Sequence, residues 1–161
     1  MRFTVIGVAK AQPRVKARHI KTKDGREFTS VYTPTQAKTW KALVAQAAQA
    51  EPDFPKAPWA GPVHLYVAFY LPRPKRLYRK KDPQGPMWAP TRSRNDCDNL
   101  LKAVMDALSD GGLWRDDGQV VTVAVSKAYH ARDEGPHAII EVSELVSEPR
   151  WLRDGTIVMP L

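Results

Sequence analysis

Residues 63 to 71, VHLYVAFYL, constrain the fold of this chain more than any other stretch. The segment is nearly all apolar and has the length of a single strand. A run of this kind is typical of a strand buried inside a sheet rather than of one with a face in water. We therefore predict a sheet in which this strand is central.

Three other regions predict further strands. FTVIGVA, residues 3–9, alternates well enough to open the sheet. Residues 11–34 are read as a basic hairpin or extended arm that turns at Asp24-Gly25. QVVTVAVSKAYH (119–130) and PHAIIEVSEL (136–145) predict two strands that ARDEG joins into an antiparallel hairpin.

Two helices are predicted between these strands. The first lies within residues 32–50, with Thr33 as N-cap, Pro34 at the first helical position and Gln36 completing a capping box. The second covers residues 97–109 and is stopped by Gly111-Gly112. Each has one apolar side, formed by Trp40, Leu43, Val44 and Ala47 in the first and by Leu100, Leu101, Ala103, Val104, Ala107 and Leu108 in the second.

These elements predict one α/β (α+β) domain over residues 1–145, with a small mixed sheet flanked by two main helices. The tail 146–161 is given no structure. No apolar run approaches the roughly 20 residues that a membrane span needs. Cys97 is the only cysteine, and MRFTVIGVAK lacks the features of a signal peptide, so we expect a cytoplasmic protein with no membrane contact.

The positive charge is concentrated in one segment. The chain of 161 residues has a formal net charge of +8. Residues 72–95 are rich in proline, which predicts a long exposed loop. Its only acidic residue is Asp82, whereas its basic residues are Arg73, Lys75, Arg76, Arg79, Lys80, Lys81, Arg92 and Arg94. Such a distribution favours a polyanionic partner such as nucleic acid.

Acidic residues follow this basic segment directly, in SRNDCDNLLKAVMDAL (93–108). Asp98, Lys102 and Asp106 lie on the polar side of the second helix, and Asp98 and Lys102 are four residues apart, so their charges can meet. Asp96 falls in or just before the first turn. LWRDDGQV then adds Asp116 and Asp117 before the next strand.

Two interpretations of these acids stay open. In the first, Asp96 caps the helix, Asp98 favours the helix dipole, Lys102 makes a surface ion pair and Asp-Asp-Gly forms a turn. In the second, the carboxylates hold Mg²⁺, which accepts carboxylate oxygens on one side and phosphate oxygens on the other. The second interpretation explains why acids lie beside a segment that attracts phosphate.

The order and spacing of these residues resemble the RusA-type Holliday-junction resolvases. The pattern D-x-D-N-x-x-K-x-x-x-D-A-L stands here at Asp96 to Leu108, and W-x-D-D-x-Q-V at Trp114 to Val120. GVAKAQPRVKAR and VYTPTQAKTW extend the resemblance more weakly into the N-terminal half. It therefore covers most of residues 3–143.

The resemblance implies a homodimeric endonuclease of phage or prophage type that makes paired nicks in four-way DNA junctions. It implies Mg²⁺, with Mn²⁺ as a substitute, and no small-molecule cofactor. By motif position, Asp96, Asp98 and Asp117 are the metal-binding and catalytic aspartates and Lys102 is the essential lysine. Asp116 is the less favoured ligand.

The remaining candidates concern DNA contact. We expect Arg14, Lys16 and Arg18 of the N-terminal arm to contact phosphate, together with the basic residues of 72–95. Tyr78 and Trp88 either stack on bases or fix the loop to the body of the protein. Cys97 is expected to be buried, Trp40 and Trp114 to lie in the core, and the four histidines receive no chemistry.

Two rival functions are considered. One is a non-catalytic protein that binds branched DNA or RNA and uses its aspartates only as caps and turns. The other is a glycosyltransferase that holds a metal and a sugar nucleotide with D-x-D. That class usually has an apolar strand leading into the motif, whereas PTRSR precedes it here.

Overall fold

A computed structural model describes residues 1–13, 16–32, 37–78, 85, 87–90 and 95–145. Within them lie seven strands and two α helices. The strands are β1 (Arg2–Ile6), β2 (Lys16–Lys21), β3 (Glu27–Tyr32), β4 (Val63–Leu71), β5 (Met87–Trp88), β6 (Val120–Tyr129) and β7 (His137–Glu144). The helices are α1 (Lys38–Gln49) and α2 (Cys97–Asp110). The tail from residue 146 lies outside the described residues.

The main sheet has five strands in the order β1-β7-β4-β6-β5, and β2 and β3 form a separate antiparallel hairpin. The prediction that β4 is central is confirmed. It pairs in parallel with β6 and antiparallel with β7. The predicted hairpin between residues 119–130 and 136–145 is wrong, because β4 lies between these two strands. The strongly apolar β4 gains pairing at both of its edges in this arrangement.

Both helices lie against the core, and the predicted mixed sheet with two main helices is confirmed. In α2 the predicted apolar side is buried except for Leu101, which is half-buried. In α1 the buried side chains are Trp40, Val44 and Ala48, whereas Leu43 is 39% exposed. The buried stripe of α1 is therefore rotated slightly from the predicted one. Trp40 and Trp114 are both in the core, as predicted.

The predicted element boundaries are confirmed in part. α2 ends at Asp110 with Gly111 as its C-cap, and Gly112 has φ +81°. Gly25 has φ +83° at the turn of the β2–β3 hairpin, which suits a residue without a Cβ. β1 ends at Ile6, before the predicted residue 9, because Gly7 at φ +137° leaves the strand conformation. α1 begins at Lys38 with Ala37 at the N-cap position, so the predicted start at Thr33 and Pro34 is wrong. Residues 33–36 themselves lie outside the described residues.

The described part of the basic segment 72–95 contains two short regular pieces that the proline content did not predict. Lys75–Leu77 forms a 3₁₀ turn, and Met87–Trp88 forms β5, paired with Tyr129 and Ala128 of β6. Ala89, next to β5, is buried. Two paired residues are too few to give a periodic pattern. None of the described helices has the length and apolar character needed to cross a membrane.

Leu100→Ala should lower the free energy of unfolding by about 3 kcal/mol, because Leu100 is fully buried where α2 meets the core and its truncation leaves a cavity. Leu43→Ala makes the same chemical change on α1 at a half-exposed site and should cost about 1 kcal/mol or less. Urea unfolding of both variants measures the difference. Equal losses would contradict the packing described for the two helices.

Candidate functional site

The start of α2 presents two exposed carboxylates. Asp96 occupies the N-cap position, with φ −69° and ψ 146°, but its side chain makes no capping hydrogen bond. Its backbone carbonyl accepts from Leu100 N at 3.0 Å, and Lys127 Nζ of β6 donates to the carbonyl of Asn95 at 2.9 Å. Backbone contacts and Lys127 thus anchor the helix start. The carboxylate of Asp96 is not used as a cap, which weighs against that part of the structural interpretation.

Lys102 lies between two acids, and neither of them is its predicted partner Asp98. Its Nζ is 3.6 Å from Asp106 Oδ1 and 3.7 Å from Asp117 Oδ2. The Oδ1 atom of Asp98 instead accepts from Asn99 Nδ2 at 3.4 Å. Two carboxylates attract the ammonium group more strongly than one. The structure therefore places Lys102 with Asp117, two of the residues that the motif singled out.

The ion pairs continue from α2 to α1. Lys41 Nζ lies 3.6 Å from Asp106 Oδ2 and 2.9 Å from Asp110 Oδ2. No role for Lys41 or Asp106 is predicted from the sequence. Asp106 could have been found from its spacing of four residues to Lys102. Lys41 could not, because only tertiary packing brings α1 beside α2.

Asp116 and Asp117 have different surroundings although they are neighbours. Asp116 is the N-cap of a 3₁₀ helix, Asp117–Gln119, and its Oδ1 accepts from Gly118 N at 2.7 Å. Asp117 faces Lys102 and is partly exposed. The carboxylate of Asp116 is therefore engaged in local structure. This difference supports the preference for Asp117 over Asp116 as a functional acid.

Gln119 fixes the acidic loop to the rest of the protein. Its Oε1 accepts from Arg115 N at 2.9 Å and from Asp116 N at 3.0 Å. Its Nε2 donates to the carbonyls of Trp59 at 2.9 Å and Gly61 at 2.8 Å. One side chain thus holds both its own loop and the segment before β4. This accounts for glutamine within the W-x-D-D-x-Q-V motif.

Trp114 supports the same loop from inside the core. Its ring is buried, and Nε1 donates to Ser109 Oγ at 2.6 Å near the end of α2. Its backbone forms a parallel bridge with Trp59. The loop that carries Asp117 is consequently tied to both α2 and the segment before β4.

The chemistry of the candidate metal ligands suits a divalent cation better than their arrangement does. Asp96, Asp98 and Asp117 offer carboxylate oxygens, which Mg²⁺ prefers. Among the described residues, however, no three His, Cys, Asp or Glu side chains are grouped so that they could hold a metal ion. The predicted convergence of three carboxylates is therefore not present in this arrangement, in which Asp117 is turned to Lys102.

The predicted DNA-binding residues fall into different environments. Lys75 and Arg76 are exposed in the 3₁₀ turn, and Arg18 is exposed on β2. The prediction that Arg73 contacts DNA does not fit its position in the fold. Arg73 is only 7% exposed, and its guanidinium donates to the carbonyl of Gly85. Outside the described residues lie Arg14, Arg79, Lys80, Lys81, Arg92, Arg94 and the side chain of Lys16.

The two aromatic residues of the basic segment differ in their contacts. The guanidinium of Arg73 lies 5.8 Å from the ring centre of Tyr78, which helps to hold that ring. Trp88 is 76% exposed although its backbone is paired in β5. The pairing fixes the segment, so the ring of Trp88 is not needed for that purpose. Cys97, predicted to be buried, is only half-buried.

The fold and site define an α+β domain in which an acidic helix, a lysine and an acidic loop adjoin a basic segment. The family profile described as endodeoxyribonuclease RusA matches residues 8–143. The chain belongs to the RusA endodeoxyribonuclease family, as its motifs indicated.

Three relatives illustrate the extent of the similarity. YqaN of Bacillus subtilis strain 168 is 33% identical over 149 residues, which are 89% of this chain and 97% of that protein. The crossover junction endodeoxyribonuclease RusA of Escherichia coli K12 is 55% identical over 38 residues, 24% of this chain and 32% of that protein. The RusA protein of enterobacteria phage 82 matches to the same extent. The similarity to the RusA enzymes is thus high but local.

Gln119→Ala should lower the free energy of unfolding by about 2 kcal/mol, because it removes partners from four backbone groups. Gln49→Ala is the matched control, since Gln49 makes one exposed hydrogen bond, to the carbonyl of Gly111. Its loss should cost about 0.5 kcal/mol. Urea unfolding measures both values, and faster amide exchange near Gly118 should accompany the first change only.

Proposed function

We propose that this protein is a structure-specific endodeoxyribonuclease that resolves Holliday junctions. Family membership supports the enzyme class, and relatives in Escherichia coli and phage 82 are named crossover junction endodeoxyribonucleases. The observation that carries the proposal is the contact of Lys102 with Asp117. Asp98 lies one turn before Lys102 on α2, and Asp96 is at the N-cap of the same helix. These four residues are the ones that the motif assigns to the site.

We further propose that cleavage depends on Mg²⁺, with Mn²⁺ as a substitute. Asp96, Asp98 and Asp117 would hold the ion. When bound, it would supply Lewis-acid activation of water and offset charge on the phosphate. Lys102 would place its ammonium group beside the phosphate, where a fixed positive charge stabilises developing negative charge.

A homodimer would suit a four-way junction, which has approximate two-fold symmetry. An isologous dimer presents one site to each of two opposed strands, and this arrangement would give paired, symmetric nicks. The exposed Lys75, Arg76 and Arg18 would bind the phosphate backbone. Such an enzyme would act in recombination and repair of DNA in the cytoplasm.

Asp98→Asn should reduce cleavage of a synthetic four-way junction by roughly 100-fold or more, because it removes a carboxylate that would hold the metal ion. Junction binding should be kept or strengthened, since a negative charge that repels phosphate is lost. A gel of labelled junction, with and without Mg²⁺, measures cleavage on all four strands. A mobility-shift assay measures binding.

Asp133→Asn is the control, because it makes the same chemical change in the loop between β6 and β7. It should leave both cleavage and binding unchanged. If wild-type protein with Mg²⁺ leaves every branched substrate intact while still binding it, the rival function of a non-catalytic binding protein is favoured.

We also propose that Trp88 stacks on bases that are unpaired at the junction centre. The support is a ring that is 76% exposed on a strand held by backbone pairing, within a segment rich in positive charge. The other interpretation, that Trp88 fixes the loop, requires a buried ring.

Trp88→Ala should weaken junction binding by roughly 10-fold, because base stacking on an aromatic ring contributes about 1–3 kcal/mol. Binding to an unbranched duplex of the same length should change little. Trp88→Phe should keep most of the junction affinity because it retains an aromatic ring. Fluorescence anisotropy with labelled DNA measures these three affinities. An equal loss of affinity for duplex and junction in Trp88→Ala would contradict stacking at the centre.

A further inference from the structure

Asp106 is the carboxylate at which lysines from both helices meet. Lys41 Nζ of α1 lies 3.6 Å from its Oδ2, and Lys102 Nζ of α2 lies 3.6 Å from its Oδ1. The side chains of Asp106 and Lys41 are 20% and 23% exposed, whereas that of Lys102 is 59% exposed. Water therefore screens the Lys41–Asp106 pair less than it screens the charges around Lys102.

The position of Lys102 depends on a balance between two acids. Its Nζ is almost equally far from Asp106 and from Asp117, at 3.6 and 3.7 Å. Lys41, whose Nζ also pairs with Asp110 at 2.9 Å, offsets part of the negative charge of Asp106 and so weakens the hold of Asp106 on Lys102. The more weakly Asp106 holds Lys102, the more strongly Lys102 turns to Asp117.

We propose that Lys41 and Asp106 form a positioning pair that sets how strongly Lys102 holds Asp117. Lys102 and a divalent cation would compete for the carboxylate of Asp117. The inference rests on the proposed function, because the cation belongs to it. It accounts for the arrangement in the described residues, where Asp117 contacts Lys102 and no group of three acids is assembled. Lys41 and Asp106 act through Lys102 rather than on DNA.

The proposal makes opposite predictions for its two residues. In Lys41→Met, Asp106 loses its second cation and draws Lys102 away from Asp117. The freed carboxylate should bind a divalent cation more tightly. In Asp106→Asn, Lys102 is left with Asp117 alone and should hold it more firmly, so the cation should bind more weakly.

The test is Mn²⁺ binding by the full-length protein without DNA, followed by the electron paramagnetic resonance signal of free Mn²⁺. We expect the Mn²⁺ dissociation constant to fall roughly three-fold in Lys41→Met and to rise roughly three-fold in Asp106→Asn, the range of a partly exposed ion pair. Lys41→Arg keeps the charge and should restore the wild-type value. Unfolding curves of each variant check that it is folded.

Both changes also alter the long-range field at the site, so charge-matched controls are needed. Lys38→Met removes a positive charge one turn earlier on α1, where the side chain is exposed. Asp53→Asn removes a negative charge from the exposed loop after α1. Each control should shift the Mn²⁺ dissociation constant by less than half as much, in logarithmic terms, as the matching variant.

Equal shifts in variants and controls, shifts of the two variants in the same direction, or no Mn²⁺ binding by the wild-type protein would each overturn the positioning pair. Cleavage of four-way junctions in Mg²⁺ is scored separately. A wild-type protein that cuts junctions but shows none of these shifts overturns this inference and leaves the proposed function standing. Opposite shifts in a protein that cuts no branched DNA overturn the function and support the pair.

Discussion

The burial of β4 is the constraint on which the rest of the structure depends. This strand has buried side chains along most of its length and pairs with a strand at each edge. One partner, β6, runs parallel to it, and parallel neighbours cannot be joined by a tight turn. The chain from residue 72 to 119 must therefore cross from one end of the sheet to the other, and α2 forms the helical part of that crossover.

The crossover also gives the candidate site its shape. It begins with the basic segment, continues through α2 with its acidic start, and ends with the loop that carries Asp117. With a rise of 1.5 Å per residue, Asp98 and Asp106 are roughly 12 Å apart along the helix axis. The acids are consequently spread along α2 rather than gathered at one point. The long side chain of Lys102 connects the helix to the acidic loop.

The sequence could predict the features that local patterns encode. The apolar run gave β4 its central place, and helical spacing gave the two buried helix faces within a few residues. The separation of β6 from β7 could not be predicted, because a short linker between two strands suits a hairpin equally well. The same limit applies to Arg73 and Lys41. Their charge is visible in the sequence, but the burial of one and the ion pairs of the other depend on distant parts of the chain.

The strengths of the contacts around the acidic loop divide it into a fixed part and an adjustable part. Asp116 and Gln119 make hydrogen bonds of 2.7 to 3.0 Å with backbone groups, which hold the path of the chain. Lys102 faces its two acids at 3.6 and 3.7 Å and is mostly exposed, and ion pairs of this kind contribute little stability. Their weakness suits side chains that exchange partners, because little free energy is lost when Asp117 leaves Lys102. A rigid loop with loosely held charges can accept a cation or a phosphate without unfolding its support.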